Sequence, residues 1–178
     1  VGGLLQVRWI LNDAKDQSTN WGFENARTQL NFEGNIVNPS WTYRVRGDFA
    51  SNGGTFGLQY AYIQKTMDNG LSIRAGQFKA PWMRENLVED GYQLAVDRSF
   101  ISQAFGLNQG YAQGVQVGYA ADSFRVNAYY GGAVGVANNS WDNNITNWSF
   151  AGRVDYKVAG TWDQFDDSNS FRGEDFGA

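Results

Sequence analysis

The sequence predicts an all-β fold, an antiparallel up-and-down β-barrel whose strands span a membrane. Apolar and polar residues alternate with a period of two along eight segments, which is typical of strands with two different faces. The links between these segments alternate between long and short, as in a barrel whose long loops lie at one end. The composition agrees, because 7 Trp, 9 Tyr, 12 Phe and 22 Gly against 2 Pro favour strands and turns.

Each of the eight segments is roughly nine to twelve residues long, about the length that a tilted strand needs to cross a bilayer. The third segment has the clearest alternation and the fourth the weakest. In chain order, the apolar positions are Leu5, Val7, Trp9 and Leu11, then Ala26, Thr28, Leu30 and Phe32, then Trp41, Tyr43, Val45 and Phe49, then Ala61 and Ile63, then Leu71, Ile73 and Ala75, then Val115, Val117 and Tyr119, then Phe124, Val126, Ala128 and Tyr130, and finally Phe150, Val154 and Tyr156.

The links between the segments differ in length and composition. Two of the short links contain residues that favour tight turns, Gly34-Asn35 and Asp68-Asn69-Gly70. A soluble sandwich has no reason to alternate long and short links, although it remains the alternative architecture. The longer links are residues 13–22, 51–57, 80–110 and 133–147, and the shorter ones are residues 34–40, 67–70 and 120–123.

Several functional classes conflict with the composition. The chain has no cysteine and no histidine, which excludes a disulfide scaffold, thiolate metal sites and a Ser-His-Asp hydrolase. A net charge of -4 argues against a general nucleic-acid binder. We therefore predict no catalytic residues, no metal site and no cofactor.

The alternation alone does not say whether the apolar face contacts lipid or a protein core. Aromatic residues near the strand ends favour lipid, because rings of this kind form girdles at membrane interfaces. The first alternative is a soluble β-sandwich that binds carbohydrate through Trp21, Trp141 and Trp148. The second is a glycosidase that uses Glu85 and Glu89. The aromatic residues in question are Trp41, Tyr119, Phe124, Trp148, Phe150 and Tyr156.

The polar faces of the segments are basic although the whole chain is acidic. A basic wall around a narrow aqueous channel raises the local anion concentration and favours anion passage. Alternatively, the arginines pair with carboxylates and hold the sheet together, with Arg44 and Arg46 near Asp48, and Arg153 near Asp155. The cations are Arg8, Arg27, Arg44, Arg46, Arg74, Arg125, Arg153 and Lys157, and the anions are Glu33, Asp48 and Asp155.

The link of residues 80–110 is far longer than a normal hairpin loop and too apolar for a solvated tether. Short helical turns are predicted at residues 94–96 and 99–105. We expect this link to pack against the rest of the protein. In a pore it folds inward and places Arg84, Glu85, Asp97 and Arg98 near the passage, whereas in a sandwich it packs on an outer edge.

Residues 71–81, LSIRAGQFKAP, resemble the strand and turn of the phosphate-selective porin O/P family. The Glu85 segment, the Asp97-Arg98-Ser99-Phe100 element, residues 26–34 and residues 114–117 are similar to other parts of that family. The resemblance implies a bacterial outer-membrane barrel of about sixteen strands, usually a homotrimer, with an inward-folded third loop and a basic lumen. Two departures stand out: only eight strands are visible, and Lys79 is the only lysine near the long link.

We therefore expect residues 1–158 to hold the barrel strands, and residues 159–178 to form an acidic connection to strands outside this chain. The acidic residues of that connection, Asp163, Asp166, Asp167, Glu174 and Asp175, could instead bind Ca²⁺, although their spacing does not match an EF-hand.

The expected function is a porin for passive diffusion of small hydrophilic solutes across the outer membrane. Its partners are membrane lipids and solutes, with a preference for anions such as phosphate and no nucleic acid. The expected pore-lining and constriction residues are Arg27, Arg44, Arg46, Arg74, Lys79, Arg84, Glu85, Asp97, Arg98, Arg125 and Arg153.

Overall fold

A computed structural model describes residues 1–50, 53–95, 97–138, 140, 148–166, 168 and 176–178. Its strands form one antiparallel sheet in the order β1 to β8, so each strand pairs with its neighbours along the chain. This confirms the predicted all-β, up-and-down topology. The strands are β1 (Gly2–Asn12), β2 (Asn20–Ile36), β3 (Asn38–Asp48), β4 (Gly57–Thr66), β5 (Leu71–Lys79), β6 (Tyr111–Ala120), β7 (Phe124–Gly132) and β8 (Trp148–Tyr156).

The little helix present lies mainly between β5 and β6. Helices α1 (Arg84–Leu87) and α2 (Phe100–Phe105) are each one or two turns long, and 3₁₀ turns occupy Asp90–Tyr92, Asn108–Gly110 and Asp163–Phe165. The helical turn predicted at residues 99–105 is confirmed. The one predicted at residues 94–96 is not formed at residues 94 and 95, and Val96 lies outside the described residues. Across the described ranges, no helix has both the length and the apolar character to cross a membrane.

The turn between β2 and β3 differs from the prediction. Gly34 and Asn35 lie inside β2, which has 17 residues, and the chain reverses at Val37 with a φ of 62°. Gly34 pairs with Tyr43 across the ladder, and a Cβ there would lie 3.2 Å from the tyrosine ring. The glycine therefore accommodates a ring rather than a turn. The turn is instead supported by the Asn38 carboxamide, which accepts from the Ser40 backbone N–H at 3.0 Å.

The two faces of the sheet differ completely in character. We call one the polar face; cross-strand neighbours on it include Arg44 with Tyr62 and Gln64 with Arg74. The opposite, apolar face is exposed. Each strand therefore presents charged and polar side chains to one side of the sheet and apolar side chains to the other. The exposed apolar side chains include Leu5, Val7, Trp9, Leu30, Phe32, Trp41, Val45, Ile63, Ile73, Val117, Phe124, Phe150, Val154 and Tyr156.

A two-layer sandwich would bury these apolar side chains, and the opposite is seen. Val117 is 44% exposed and Val154 is 70% exposed, whereas Arg46 is only 4% exposed. The buried apolar cluster lies instead at the end of the sheet where β5 leaves and β6 returns, with Tyr60 against Tyr111 at 5.3 Å and Phe78 against Tyr129 at 5.8 Å between ring centroids. The sandwich alternative is therefore not favoured.

We expect Gly76→Ala to destabilise the sheet by about 1–3 kcal/mol, because the backbone there has a conformation that side chains disfavour. Gly76 has a φ of 129°, and a Cβ would lie 2.2 Å from the Ala61 carbonyl oxygen. Urea unfolding in detergent micelles measures the effect. Gly152→Ala is the matched control, since its nearest heavy atom would be 3.8 Å away. Equal stability of the two variants would contradict the strained geometry.

Candidate functional site

The long loop, residues 80–110 between β5 and β6, lies against the polar face. Three of its carboxylates contact side chains of β1, β2 and β3: Glu89, Asp90 and Asp97. The loop therefore turns toward the charged side of the sheet. The strand positions that receive it are the ones where alternation places arginine and glutamine.

Glu89 joins two arginines of β3. One carboxylate oxygen accepts from Arg44 Nη1 at 2.7 Å and the other accepts from Arg46 Nη1. Arg46 also donates to the Tyr111 hydroxyl at 2.8 Å. The guanidinium groups of Arg44 and Arg46 lie over the Tyr60 ring, 4.5 and 4.6 Å from its centre. Burial would raise the pKa of Glu89, but the adjacent Arg46, Lys79 and Arg44 hold it below its usual range.

Asp90 makes the deepest attachment of the loop, with a side chain only 1% exposed. Gln29 Nε2 donates to one of its oxygens at 2.7 Å, and Arg98 Nη2 lies 2.7 Å from the other. Arg27 lies farther away, at 3.7 Å. Asp90 thus couples strand β2 to the loop and also couples two parts of the loop to each other.

The loop is held in shape by its own hydrogen bonds. Ser99 caps α2, since its hydroxyl accepts from the Ser102 N–H at 3.1 Å. The Glu85 carboxylate accepts from both the Ser99 N–H and the Ser99 hydroxyl at 2.6 Å, and these bonds lower the pKa of Glu85. Asn86 donates to the Gly106 carbonyl at 2.7 Å and accepts from the Ser102 hydroxyl at 2.7 Å. The loop is thus a folded unit.

The family model for phosphate-selective porin O and P matches residues 6–174. The chain belongs to the phosphate-selective porin O and P family. Members of this family are bacterial outer-membrane porins, which places this protein in the outer membrane and indicates a channel rather than an enzyme. The comparison with curated proteins and the comparison with solved structures give no significant match.

The expected pore residues of this porin fall into two groups. The first group meets the long loop: Arg27, Arg44, Arg46, Lys79, Asp97 and Arg98 lie around its attachment, and Glu85 lies inside it. Lys79 is almost fully buried, with its ammonium 5.4 Å from the centre of the Tyr111 ring. Asp97 pairs with Arg8 at 2.7 Å near the edge of the sheet.

The second group makes no contact with Glu89 or Asp90 among the ion pairs of the described residues. Arg74 donates to Gln64 at 2.8 Å and lies over the Tyr62 ring, and Arg125 lies over the Trp162 ring with Asp166 at 3.9 Å. The remaining two members make other contacts: Arg84 lies over the Phe165 ring, and Arg153 pairs with Asp155.

The pairing alternative was right for one pair and wrong for the other. Arg153 donates to the Asp155 carboxylate from Nε at 2.7 Å and from Nη2 at 2.5 Å. Asp48 does not pair with Arg44 or Arg46; it accepts from Gln29 Nε2 at 3.2 Å and from the Ala50 N–H at 2.8 Å. Those two arginines pair with Glu89 because the long loop folds over the polar face and brings this carboxylate against them.

Glu89 and Asp90 were not among the pore residues expected from the sequence. Glu89 was considered only as a catalytic residue of the glycosidase alternative, and Asp90 was not singled out. The available signal was the adjacent pair of acids in a loop opposite a basic face. Trp141 of the carbohydrate alternative and Asp167, Glu174 and Asp175 of the acidic connection lie outside the described residues. In the part of the chain that the structure describes, no three acidic side chains are close enough to hold a metal ion.

We expect the loop of this porin to stay attached down to acidic pH. Burial would raise the pKa of Asp90, but Lys79, Arg98, Gln29 and Arg27 lower it to about 2. In the unfolded chain an Asp has a pKa of about 3.9. The contribution of ionised Asp90 to the free energy of unfolding is therefore complete above that pH and is lost as pH falls toward about 2. Urea unfolding at a series of pH values should show this loss, and Asp90→Asn should flatten it. An Asp90-dependent loss already at neutral pH would contradict the geometry.

Proposed function

We propose that this porin forms a water-filled channel for passive diffusion of small hydrophilic solutes, and that it prefers anions, phosphate among them. The observation that carries the proposal is the orientation of the sheet. Its apolar face is exposed along all eight strands, as contact with lipid requires. Its polar face receives the long loop, which would narrow the passage. In such a channel the solute gradient drives transport.

The charge on the polar face supports the preference for anions. Glu89 and Asp90 offset the charge of arginines in β2 and β3, and Asp155 offsets Arg153. Farther along the face, Arg74 contacts an amide and aromatic rings, with no carboxylate within 4.0 Å among the described residues. A cation without a close anion leaves its field available to a passing solute.

We further propose roles for the expected pore residues. Arg27, Arg44, Arg46, Lys79 and Arg98 hold the long loop in place. Asp97 is one of the loop's carboxylate contacts with the strands, and Glu85 shapes the loop from within. The passage itself is bordered by Arg74, Arg84, Arg125 and Arg153. The sheet would form part of a barrel wall that further strands complete, the acidic connection of residues 159–178 would lead out of it, and barrels would associate as homotrimers. These last points rest on the family resemblance.

A planar-bilayer measurement tests the proposed function. The purified protein is added to a bilayer that separates two concentrations of KCl, and the reversal potential gives the ratio of chloride to potassium permeability. We expect discrete channels with chloride favoured. Channels that favour potassium would contradict the proposal. A protein that remains in the aqueous phase without detergent would contradict the barrel itself.

A further inference from the structure

A second feature of the polar face adjoins the attachment of the long loop, with Glu89 at the boundary between the two. It is a cavity of 690 Å³ between the start of the long loop, strands β7 and β8, and the segment that follows β8. The groups that matter for its chemistry are Arg84, Tyr92, Arg125, Lys157, Trp162 and Phe165. It is large enough for a drug-sized or metabolite-sized molecule.

Aromatic rings in this cavity are fixed in place. The Trp162 indole N–H donates to the Ala121 carbonyl at 3.2 Å, which ties the segment after β8 to the turn between β6 and β7. The Phe165 ring lies 6.3 Å from the indole, at 69° to it. The Phe165 carbonyl accepts from Arg84 at 3.3 Å, and the nearby Ser168 N–H donates to the Tyr92 carbonyl at 2.9 Å. These contacts join the segment to the long loop.

Cations lie directly on these rings. The Arg125 guanidinium is 4.2 Å from the centre of the Trp162 ring, and the Lys157 ammonium is 5.2 Å from it. Arg84 is 5.8 Å from the centre of the Phe165 ring. Cation–π contacts of this kind hold a positive charge in place beside the ring.

The carboxylates around the cavity are largely occupied elsewhere. Glu89 pairs with the β3 arginines, and Asp155 pairs with Arg153. Asp166 approaches Arg125 only to 3.9 Å. Within the described ranges, no carboxylate lies within 4.0 Å of the Lys157 ammonium. The cavity therefore offers positive charge beside flat apolar surfaces.

We propose that this cavity binds small organic anions that carry a flat ring. The anionic group pairs with Lys157 and Arg125, and the ring packs against the aromatic side chains that line the same cavity. An inorganic anion makes only the first set of contacts, and a neutral ring makes only the second. The inference deepens the proposed function by naming a class of solute, and it concerns binding, which can be measured without conduction.

Titration calorimetry on the full-length protein in detergent micelles tests this site. The probes are phenyl phosphate, inorganic phosphate and benzyl alcohol, which separate the charge from the ring. We expect phenyl phosphate to bind about fivefold more tightly than inorganic phosphate, because ring contacts of this size contribute about 1 kcal/mol, and 1.4 kcal/mol is tenfold. Benzyl alcohol should bind most weakly. Equal binding of phenyl phosphate and inorganic phosphate would overturn the proposal.

Variants assign the binding to this cavity. Trp162→Leu should remove most of the difference in affinity between phenyl phosphate and inorganic phosphate. Trp162→Phe should retain that difference, which shows whether the effect of Trp162→Leu comes from the missing aromatic ring or from a disturbed fold. Lys157→Gln should weaken both phosphates several-fold. The controls are Trp21→Leu on the exposed apolar face and Lys15→Gln in the exposed link after β1, neither of which should matter. Unchanged binding in the Trp162→Leu and Lys157→Gln variants would overturn the site.

The result is separable from the proposed function. A bilayer recording that favours potassium would contradict the anion-selective channel and leave the calorimetric result standing. Loss of the ring preference in calorimetry, with chloride still favoured in the bilayer, would overturn the ring-binding site alone.

Discussion

Replacing Glu89 by glutamine should release the long loop from the polar face and raise the single-channel conductance. Glu89 is the carboxylate shared by Arg44 and Arg46, and Arg46 is nearly fully buried, with its side chain 4% exposed. Removing one partner of such a buried ion pair typically costs about 3–5 kcal/mol. Here Arg46 would stay buried without its carboxylate, whereas Arg44 keeps Glu33 at 3.7 Å. The loop would then leave its position for a large fraction of the time, and the passage would widen.

Asp97→Asn is the matched control for this variant. Asp97 also joins the loop to a strand arginine, Arg8, but its side chain is 54% exposed. Exposed pairs contribute about 0–1 kcal/mol, so its conductance should stay close to that of the unaltered protein. Limited proteolysis of the loop gives a second readout. If Glu89→Gln left both conductance and proteolysis unchanged, the loop would not depend on this ion pair.

Reversing the charge at Arg74 and Arg125 should lower the preference for anions strongly. An anion about 4 Å from one unit charge in water gains about 1 kcal/mol, so each reversal changes its energy by about 2 kcal/mol. Since 1.4 kcal/mol is tenfold, Arg74→Glu combined with Arg125→Glu should reduce the ratio of chloride to potassium permeability by more than about tenfold. The reversal potential in a KCl gradient measures this ratio.

The comparison variant is Lys15→Glu, which makes the same reversal in an exposed link outside the polar face. It should shift the reversal potential little, because exposed charges beyond about 8–10 Å are largely screened at physiological salt. If the Arg74 and Arg125 double variant behaved like Lys15→Glu, these two arginines would not border the conduction path.

Much of the architecture could be predicted from period-two alternation. The limits of the long loop follow directly from it, because alternation stops after Lys79 and resumes at Tyr111, and the structure has the same boundaries. The turn after β2 could not be placed in the same way. Gly34-Asn35 has the composition of a turn, yet the Tyr43 ring opposite Gly34 provides another reason for a glycine.

The partners of the charged residues could not be predicted from local sequence. The sequence separation between Arg44 and Glu89 is 45 residues, and the choice of Glu89 over nearby Asp48 depends on how the loop folds over the sheet. Arg153 and Asp155, two residues apart on the same face, do pair, but Arg46 and Asp48 have the same spacing and do not. Periodicity places possible partners on one face, and the tertiary structure decides which of them pair.

Site-directed spin labelling tests the central claim most directly, since the chain has no cysteine and a single introduced thiol is unique. Val117→Cys and Gln116→Cys place labels on consecutive residues of β6 that point to opposite faces. In liposomes, we predict that the Val117 label is relaxed by lipid-soluble oxygen and the Gln116 label by a water-soluble nickel complex. The reverse pattern, or nickel access at both positions, would contradict the orientation on which the channel depends.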